Sequence, residues 1–325
     1  MIELVLNKQN LNVAYLSVYR NKGAGGIDGM NVQALKAHLA EYGSTYIQQI
    51  RQENYQPQAI KGVEIPKGNS GKTRLLGIPT VTDRVFQQAL CQVLSPIFER
   101  DFQAHSYGFR PHRNAHQALA KALEYINSGY QDIVDIDLKS FFDEVSHEKL
   151  LTLIYKKVQC HTTLWLLRKF LRSPISINGK LHKRRKGVPQ GSPLSPLLAN
   201  ILLNELDKLL EKRGLRYVRY ADDFSIYLRS RKAAERVMRN ISNFLENKLQ
   251  LPINWEKSGI RRPVNFELLG HSFVPTYRKG DKGKYQLVVR KKAWIELKRK
   301  LKWFTRKTLP MTFDDRMTKI KQLMY

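Results

Sequence analysis

Two acidic residues stand side by side between two strand-like runs of the chain. Asp222 and Asp223 follow a Tyr-Ala pair, with one run before them at 216–220 and the other after them at 224–228. This pattern predicts a β-hairpin with both carboxylates at its tip. Adjacent like charges repel, so the tip is costly unless cations neutralise it. Mg²⁺ prefers oxygen ligands and is often shared with substrate phosphates, although Asp is also an ordinary turn residue.

A third carboxylate belongs to a separate strand-like segment. Residues 134–138 alternate apolar and acidic side chains, which is typical of a half-buried strand. Asp135 and Asp137 therefore project from the same face. Set beside the hairpin tip, this strand end could help to hold two divalent ions, which stabilise the attacking and leaving oxygens in phosphoryl or nucleotidyl transfer. The simpler alternative is a surface strand with a solvated acidic face.

The composition indicates a polyanionic substrate. The 325 residues include 56 Lys and Arg against 28 Asp and Glu, a net charge of +28. Such a charge suits nucleic acid, because counterion release supplies much of the binding free energy. A basic RNA-binding protein without catalytic activity would share the charge, but it would not explain the clustered carboxylates. The hydrophobic content of 42% excludes wholesale disorder.

The remaining composition indicates a cytoplasmic protein that does not bind a membrane. Cys91 and Cys160 form no metal-ligand or disulfide pattern and suit a reducing compartment. The segment 1–5 lacks a basic region followed by an apolar core, so we expect no secretion signal. No apolar run approaches the length that spans a bilayer.

Hydrophobic periodicity predicts an α+β fold, with an antiparallel sheet packed on helices. Helices and hairpins are interleaved along the chain, which disfavours a parallel doubly wound sheet. Ser146 is a candidate N-cap, and Gly214 is a candidate helix stop. We predict helices within 1–58 around a glycine-rich loop at 23–29, a hairpin over 61–79, and helices at 83–99, 196–212 and 231–249.

The last 50 residues are strongly basic. Residues 276–325 contain 16 Lys and Arg and 4 Asp and Glu. A helix over 291–307 is predicted, and it could bind a nucleic-acid backbone or an acidic membrane. The absence of other membrane features favours nucleic acid. One face of this helix would carry Trp294, Leu297, Leu301 and Phe304, while Lys298, Arg299, Lys302 and Arg306 lie off that face or at its edge.

Together these motifs resemble a reverse transcriptase of the bacterial group II intron type. The resemblance covers nearly the whole chain. Each block alone is a weak signal, but seven blocks in the family's order form a specific one. After an N-terminal extension at 12–30, the blocks are 65–67 with 76–84, then 106–111, 135–143, 187–196, 220–223, 256–258 and 266–273.

The resemblance implies a right-hand polymerase fold. Residues 1–105 would form the fingers with the N-terminal extension, and 106–285 the palm with the catalytic site, part of it returning to the fingers. Residues 286–325 would form the start of a helical thumb. Because the chain ends within the thumb region, we expect a weaker grip on the duplex and lower processivity.

The resemblance also implies roles for individual residues. Asp137, Asp222 and Asp223 would be the catalytic, metal-binding triad, with the Leu138 carbonyl as a further ligand of Mg²⁺, for which Mn²⁺ could substitute. Asp135 and Asp143 are expected to be structural. The dNTP-binding residues would be Lys67 and Arg74 at the triphosphate, Gln190 and Gly191 in the nucleotide pocket, and Phe142, whose ring excludes a 2′-hydroxyl. The nucleic-acid contacts would be Arg110, Lys257, Lys298, Arg299, Lys302 and Arg306.

The implied activity is RNA-directed DNA synthesis. The enzyme would join dNTPs to a primer 3′-hydroxyl while copying RNA, and it could also aid intron splicing and mobility. Its partners would be an RNA template, an RNA–DNA duplex and group II intron RNA. Two alternatives stay open: a related reverse transcriptase in CRISPR spacer acquisition or phage defence, and a maturase that binds intron RNA as a splicing cofactor.

Overall fold

A computed structural model describes residues 1–66, 73–277 and 283–324. Helices and strands are interleaved along these ranges, as the periodicity predicts. In chain order they are α1 (Ile2–Val5), α2 (Lys8–Arg20), α3 (Leu35–Arg51), β1 (Ile60–Pro66), β2 (Thr73–Ile78), α4 (Val81–Glu99), α5 (Ala115–Asn127), β3 (Asp132–Ile136), α6 (Phe141–Glu144), α7 (His147–Tyr155), α8 (His161–Arg172), β4 (Ile175–Ile177), β5 (Lys180–His182), α9 (Ser195–Lys212), β6 (Arg216–Tyr220), β7 (Asp223–Leu228), α10 (Arg231–Asn243), β8 (Gly259–Arg261), β9 (Glu267–Leu268), β10 (His271–Pro275), β11 (Tyr285–Val289), α11 (Lys291–Phe304) and α12 (Phe313–Met324).

The acidic motifs lie on an antiparallel sheet with the order β6–β7–β3–β8. Val134 and Ile226 belong to a core shared with α9 and α10, whereas Ile133 and Tyr227 belong to a core shared with α5. Both faces of the sheet are therefore covered. The prediction of a half-buried strand at 134–138 was wrong in this respect, because β3 is covered on both sides and ends at Ile136.

A second sheet, with the order β2–β1–β4–β5, contains the predicted hairpin. The connection between β1 and β2, including Lys67, lies outside the described residues. Strand β4 pairs in parallel with β1, so the hairpin of β4 and β5 joins the N-terminal strands although it lies about 100 residues later in the chain. The hairpin of β4 and β5 is thus part of the same sheet as β1 and β2.

Helix α9 lies at the centre of the molecule. Twelve of its 18 residues are buried, among them Asn200, Asn204 and Asp207. Neighbouring elements therefore cover several sides of this helix. Ser146 caps α7 as predicted, and Gly214 follows α9 with a φ of +61°.

The C-terminal part of the chain is less buried. Helix α11 ends at Phe304, so Arg306 lies in the turn beyond it, and none of the residues of α11 is buried. A small sheet of β9, β10 and β11 precedes this helix. Across the described ranges, no helix combines the length and the apolar character needed to cross a bilayer.

Candidate active site

A buried ion pair supports the turn between β6 and β7. Arg219 and Asp207 both have 0% exposed side chains, and Nη2 of Arg219 lies 2.6 Å from a carboxylate oxygen of Asp207. Nη1 of Arg219 donates to the Ala221 carbonyl at 2.8 Å and to Oδ1 of Asn200 at 2.9 Å. Ala221 has a φ of +59°, a conformation that a non-glycine residue adopts only when its surroundings favour it. The ion pair thus fixes the main chain immediately before Asp222.

A glycine packs against the same turn from the side. A Cβ on Gly108 would be 2.2 Å from the Ala221 nitrogen, so any side chain there would displace the turn. The Gly108 carbonyl accepts a bond from Nδ2 of Asn200 at 2.9 Å. Asn200 therefore links Gly108 and Arg219, and the turn is fixed on two sides.

Asp137 lies one residue past the end of β3. Strands β3 and β7 pair with Ile136 opposite Phe224, so extending the register by one residue brings Asp137 opposite Asp223. The carboxylates that the sequence places far apart thus meet at one edge of the sheet.

A loop before β8 holds Asp137 in place. The Asn254 N–H donates to the Asp137 carbonyl at 2.8 Å, and Nδ2 of Asn254 donates to Oδ2 of Asp137 at 2.9 Å. The Asp137 N–H donates to Oγ of Ser258 at 3.0 Å. The Lys139 N–H donates to the Pro252 carbonyl at 2.8 Å, so the Leu138 peptide is fixed between bonded neighbours.

Six carboxylates line one open cavity of about 630 Å³. Four of them belong to the two acidic motifs, namely Asp135, Asp137, Asp222 and Asp223, and the other two are Glu256 and Glu267. Asp223 is exposed at the start of β7, but desolvation of its carboxyl and the charges of Asp135, Asp222 and Asp137 raise its pKa to about 7. Asp135 is paired with Nε of Arg261 at 2.8 Å. Burial raises the Asp135 pKa, while Arg261 opposes the change.

The donor set of this cavity suits a hard divalent cation, because its carboxylates are the oxygen ligands that Mg²⁺ prefers. Oδ2 of Asp137 faces the ammonium of Lys257 at 3.4 Å. In the part of the chain that the structure describes, no three acidic, histidine or cysteine side chains stand close enough together to hold one ion. Metal binding would therefore require Asp137 to turn from Lys257 towards the other carboxylates.

A larger cleft of about 980 Å³ is lined by three of the residues predicted to bind the nucleotide, Phe142, Gln190 and Gly191. Phe142 packs edge-on against Phe141, with ring centroids 5.2 Å apart. Gly191 has a φ of +121°, and a Cβ there would be 2.7 Å from the Gly77 carbonyl oxygen. The Gly77 N–H donates to the Gln190 carbonyl at 2.8 Å, so the loop is joined to β2.

Comparison with known proteins identifies the family. The sequence profile of the family "Reverse transcriptase (RNA-dependent DNA polymerase)" matches residues 65–273. The chain belongs to the reverse transcriptase family. It is 32% identical over 316 residues to Protein YkfC of Escherichia coli strain K12, a match that covers 84% of this chain and 82% of YkfC.

A second relative indicates the branch of the family. The chain is 31% identical over 361 residues to the group II intron-encoded protein LtrA of Lactococcus lactis subsp. cremoris. That match covers 89% of this chain and 57% of LtrA, so the chain spans a little over half of that relative. The predicted group II intron-type reverse transcriptase, an RNA-directed DNA polymerase, is confirmed at the level of the family.

A solved structure supports the fold. The structure of telomerase from Candida albicans with a fragment of telomeric RNA matches with a TM-score of 0.54 and 14% identity. The match covers 90% of this chain and 59% of that chain. The predicted α+β right-hand fold is confirmed.

Arg110 of this reverse transcriptase lies inside the protein, although the resemblance implied a nucleic-acid contact. Its side chain is 4% exposed and lies 2.7 Å from Glu99. Its N–H groups also donate to the carbonyls of Gln103, Ser106 and Phe102. A guanidinium has five N–H donors, and five bonds to protein acceptors engage this one. The prediction for Arg110 was wrong, because its charge stabilises the loop after α4 rather than a ligand.

The other basic residues predicted to bind nucleic acid are exposed. Lys257 lies beside Asp137, with 60% of its side chain exposed. Arg74 of β2, which was predicted to bind the triphosphate, is exposed as well. Four basic residues near the C-terminal end are also exposed: Lys298, Arg299, Lys302 and Arg306.

Several residues that position the carboxylates were not predicted from the sequence. Asp207 and Asn200 lie in the interior of a helix, where the sequence offers no sign that they face a distant strand. Asn254 lies outside the motifs found in the sequence. Ser258 belongs to one of the blocks that carry the resemblance, but only the structure shows its bond to the Asp137 main chain.

Proposed function

We propose that Asp137, Asp222 and Asp223 form the metal-binding centre of an RNA-directed DNA polymerase. The convergence of these carboxylates in one cavity carries the proposal. Burial and the neighbouring carboxylates together raise the pKa of Asp223 to about 7. A cluster of negative charge is unfavourable by itself and becomes favourable when cations bind. Bound Mg²⁺ would supply the charge that stabilises the attacking and leaving oxygens in nucleotidyl transfer.

The chain's own residues would set the position of that centre. Asn254 and Ser258 orient Asp137, and the Leu138 carbonyl next to it would be a further ligand. Arg219 holds the turn that carries Asp222. Because these supports are buried or hydrogen-bonded, the main chain that carries the carboxylates would stay in place while the side chains turn to meet the metal.

The incoming dNTP would occupy the cleft of Phe142, Gln190 and Gly191. The Phe142 ring would lie under the sugar and exclude a 2′-hydroxyl, while Gly191 would let the main chain approach the nucleotide closely. Arg74 on β2 would bind the triphosphate, together with Lys67 in the adjoining connection.

The basic surface would bind an RNA template and the RNA–DNA duplex. Lys257 lies at the carboxylate cavity, and the basic residues around α11 would follow the backbone farther away. The relationship to a group II intron-encoded protein supports intron RNA as a template and a role in intron splicing and mobility. We also propose the fingers, palm and thumb boundaries given above and a cytoplasmic location.

Primer extension tests this function. We expect the protein to extend a DNA primer on an RNA template with dNTPs and Mg²⁺. A chelator should stop the reaction, and excess Mg²⁺ or Mn²⁺ should restore it. Failure to extend any primed RNA template, or extension that is indifferent to the chelator, would contradict the proposal.

A further inference from the structure

A second cavity of about 990 Å³ shares no lining residue with either the carboxylate cavity or the cleft of Phe142. Its wall combines the start of α7, the end of α8 and the segment between β5 and Gly187. Basic side chains dominate this wall, with Glu144 and Glu148 as its acidic members. The basic residues of the cavity are Arg172, Lys183, Arg184, Arg185 and Lys186.

Two polar atoms in this wall have no partner. Nη1 of Arg184 and Nδ1 of His147 are buried, and neither has a hydrogen-bond partner among the described residues. His147 is 4% exposed, and its Nε2 donates to the Gly187 carbonyl at 2.7 Å. Buried polar groups are almost always satisfied in folded proteins, by protein atoms or by a bound molecule, so these two unsatisfied atoms mark the cavity as a candidate binding site.

The protein neutralises only part of this positive charge. Glu144 pairs with Lys186 at 2.6 Å. Elsewhere in the described ranges, no acidic side chain forms an ion pair with Arg172, Lys183, Arg184 or Arg185. Burial lowers the pKa of Arg184, and the nearby carboxyl of Asp143, which opposes this change, adds only one negative charge to those of Glu144 and Glu148. The cavity therefore retains an excess of positive charge.

We propose that this cavity binds a backbone phosphate of a nucleic-acid strand. A guanidinium presents its donors in a fork that matches phosphate oxygens. A bound phosphate would also favour a proton on Nδ1 of His147, which could then donate to it. This inference rests on the proposed function, because the strand would be part of the template or duplex.

The arrangement of the basic residues favours a strand over a small anion. Arg184 is partly buried, whereas its neighbours Lys183 and Arg185 are exposed, so the charge extends from the cavity to the surface as a polymer requires. The same segment continues directly into the Gln190–Gly191 loop. The Val188 N–H donates to the Phe142 carbonyl at 2.7 Å, so the phosphate site is joined to the nucleotide cleft.

Salt-dependent binding of an RNA–DNA duplex tests the proposal. Wild type and Arg184→Gln, each as the full chain, would be titrated with a labelled duplex in EDTA without dNTP. The variant should bind more weakly, and its slope of log affinity against log salt should be smaller by about 0.7–0.9, the value of one phosphate contact. Arg172→Gln should do the same. The matched control is Arg213→Gln, at the exposed end of α9, which should keep the wild-type slope.

Melting temperature separates a binding role from a structural one. Because Arg184 forms no ion pair with a described residue and its Nη1 is buried without a hydrogen bond, Arg184→Gln should leave the melting temperature nearly unchanged. A lowered melting temperature with an unchanged salt slope would overturn the proposal. A second result would also overturn it. If inorganic phosphate raises the melting temperature of wild type but not that of Arg184→Gln, while the salt slope of duplex binding is the same for both, the site binds a small anion rather than a strand. Since metal and dNTP are absent, a failure of polymerase activity would not affect this result.

Discussion

Asp223 bears the greatest electrostatic cost at the candidate site. Three other carboxylates and the surrounding protein raise its pKa to about 7, so its folded-state pKa exceeds the ordinary value of an unfolded chain. Between about pH 4 and pH 7 the folded protein therefore holds a proton that the unfolded chain releases. Stability from this group is fully present below that range and is lost as the pH rises through it.

Metal-free unfolding at several pH values tests this assignment. In EDTA, Asp223→Asn should gain free energy of unfolding relative to wild type as the pH rises from about 4 to above 7, because Asn carries no charge at any pH. Urea denaturation at pH 5 and pH 8 measures the difference. Asp314→Asn, at an exposed position on α12, should show no such trend. A pH-independent difference between Asp223→Asn and wild type would contradict the electrostatic account.

For Phe142, the proposed role of excluding a 2′-hydroxyl can be tested separately from a role in packing. Its ring lines the nucleotide cleft and also packs on Phe141. Phe142→Val should raise the use of rNTPs relative to dNTPs by at least about tenfold, equivalent to about 1.4 kcal/mol. The ratio of kcat/KM for a matched nucleotide pair measures it.

The neighbouring ring provides the control for this test. Phe141 is buried, and Phe141→Val should lower the melting temperature without changing nucleotide choice. If Phe142→Val also lowers stability and leaves the ratio unchanged, Phe142 is a packing residue only.

At the scale of the elements, the Arg219–Asp207 pair connects α9 to the turn that carries the carboxylates. Asp207→Asn would leave the Arg219 guanidinium buried without its counter-ion. We expect this change to cost about 3–5 kcal/mol of stability, as breaking buried ion pairs does. Chemical denaturation measures the decrease in stability.

A surface pair on the same helix serves as the comparison. Glu205 lies 3.0 Å from Lys208, and both side chains are partly exposed. Glu205→Gln should cost no more than about 1 kcal/mol. Equal effects of the two substitutions would mean that the buried pair does not support the turn.

The elements also show where sequence reasoning succeeds. The hairpin at Asp222 was predictable because apolar and β-branched residues flank a short polar turn, and those signals are local. The loop from Pro252 to Ser258 was not, because its role is to hold Asp137 through main-chain and side-chain bonds across more than 100 residues. Buried polar residues such as Asp207 look like surface residues until their partners are known.

At the scale of the whole molecule, the net charge of +28 should dominate binding. Affinity for RNA–DNA duplex should fall steeply with salt and vary little with sequence. Replacing Lys298, Arg299, Lys302 and Arg306 with Gln should reduce the salt slope by up to about 0.7–0.9 for each phosphate that the variant no longer binds. An affinity that stays constant from low to moderate salt would contradict a backbone-binding role.

The overall architecture was predictable from the interleaving of helices and hairpins, whereas the joining of distant segments was not. Strand β4 pairs with β1 across more than 100 residues, and no local pattern specifies that partner. Arg110 shows the same limit, because nothing in its local sequence shows that four acceptors, one carboxylate oxygen and three carbonyls, surround its guanidinium.

Single-turnover primer extension on an RNA template tests the central claim most directly. Wild type, Asp222→Asn, Asp223→Asn and the control Asp314→Asn would be compared at saturating Mg²⁺, with folding verified by melting temperature. Loss of a metal ligand should reduce the rate of nucleotide addition by several powers of ten in the first two variants, while the control keeps the wild-type rate. Wild-type rates in folded Asp222→Asn and Asp223→Asn would contradict the assignment of these carboxylates as the catalytic centre.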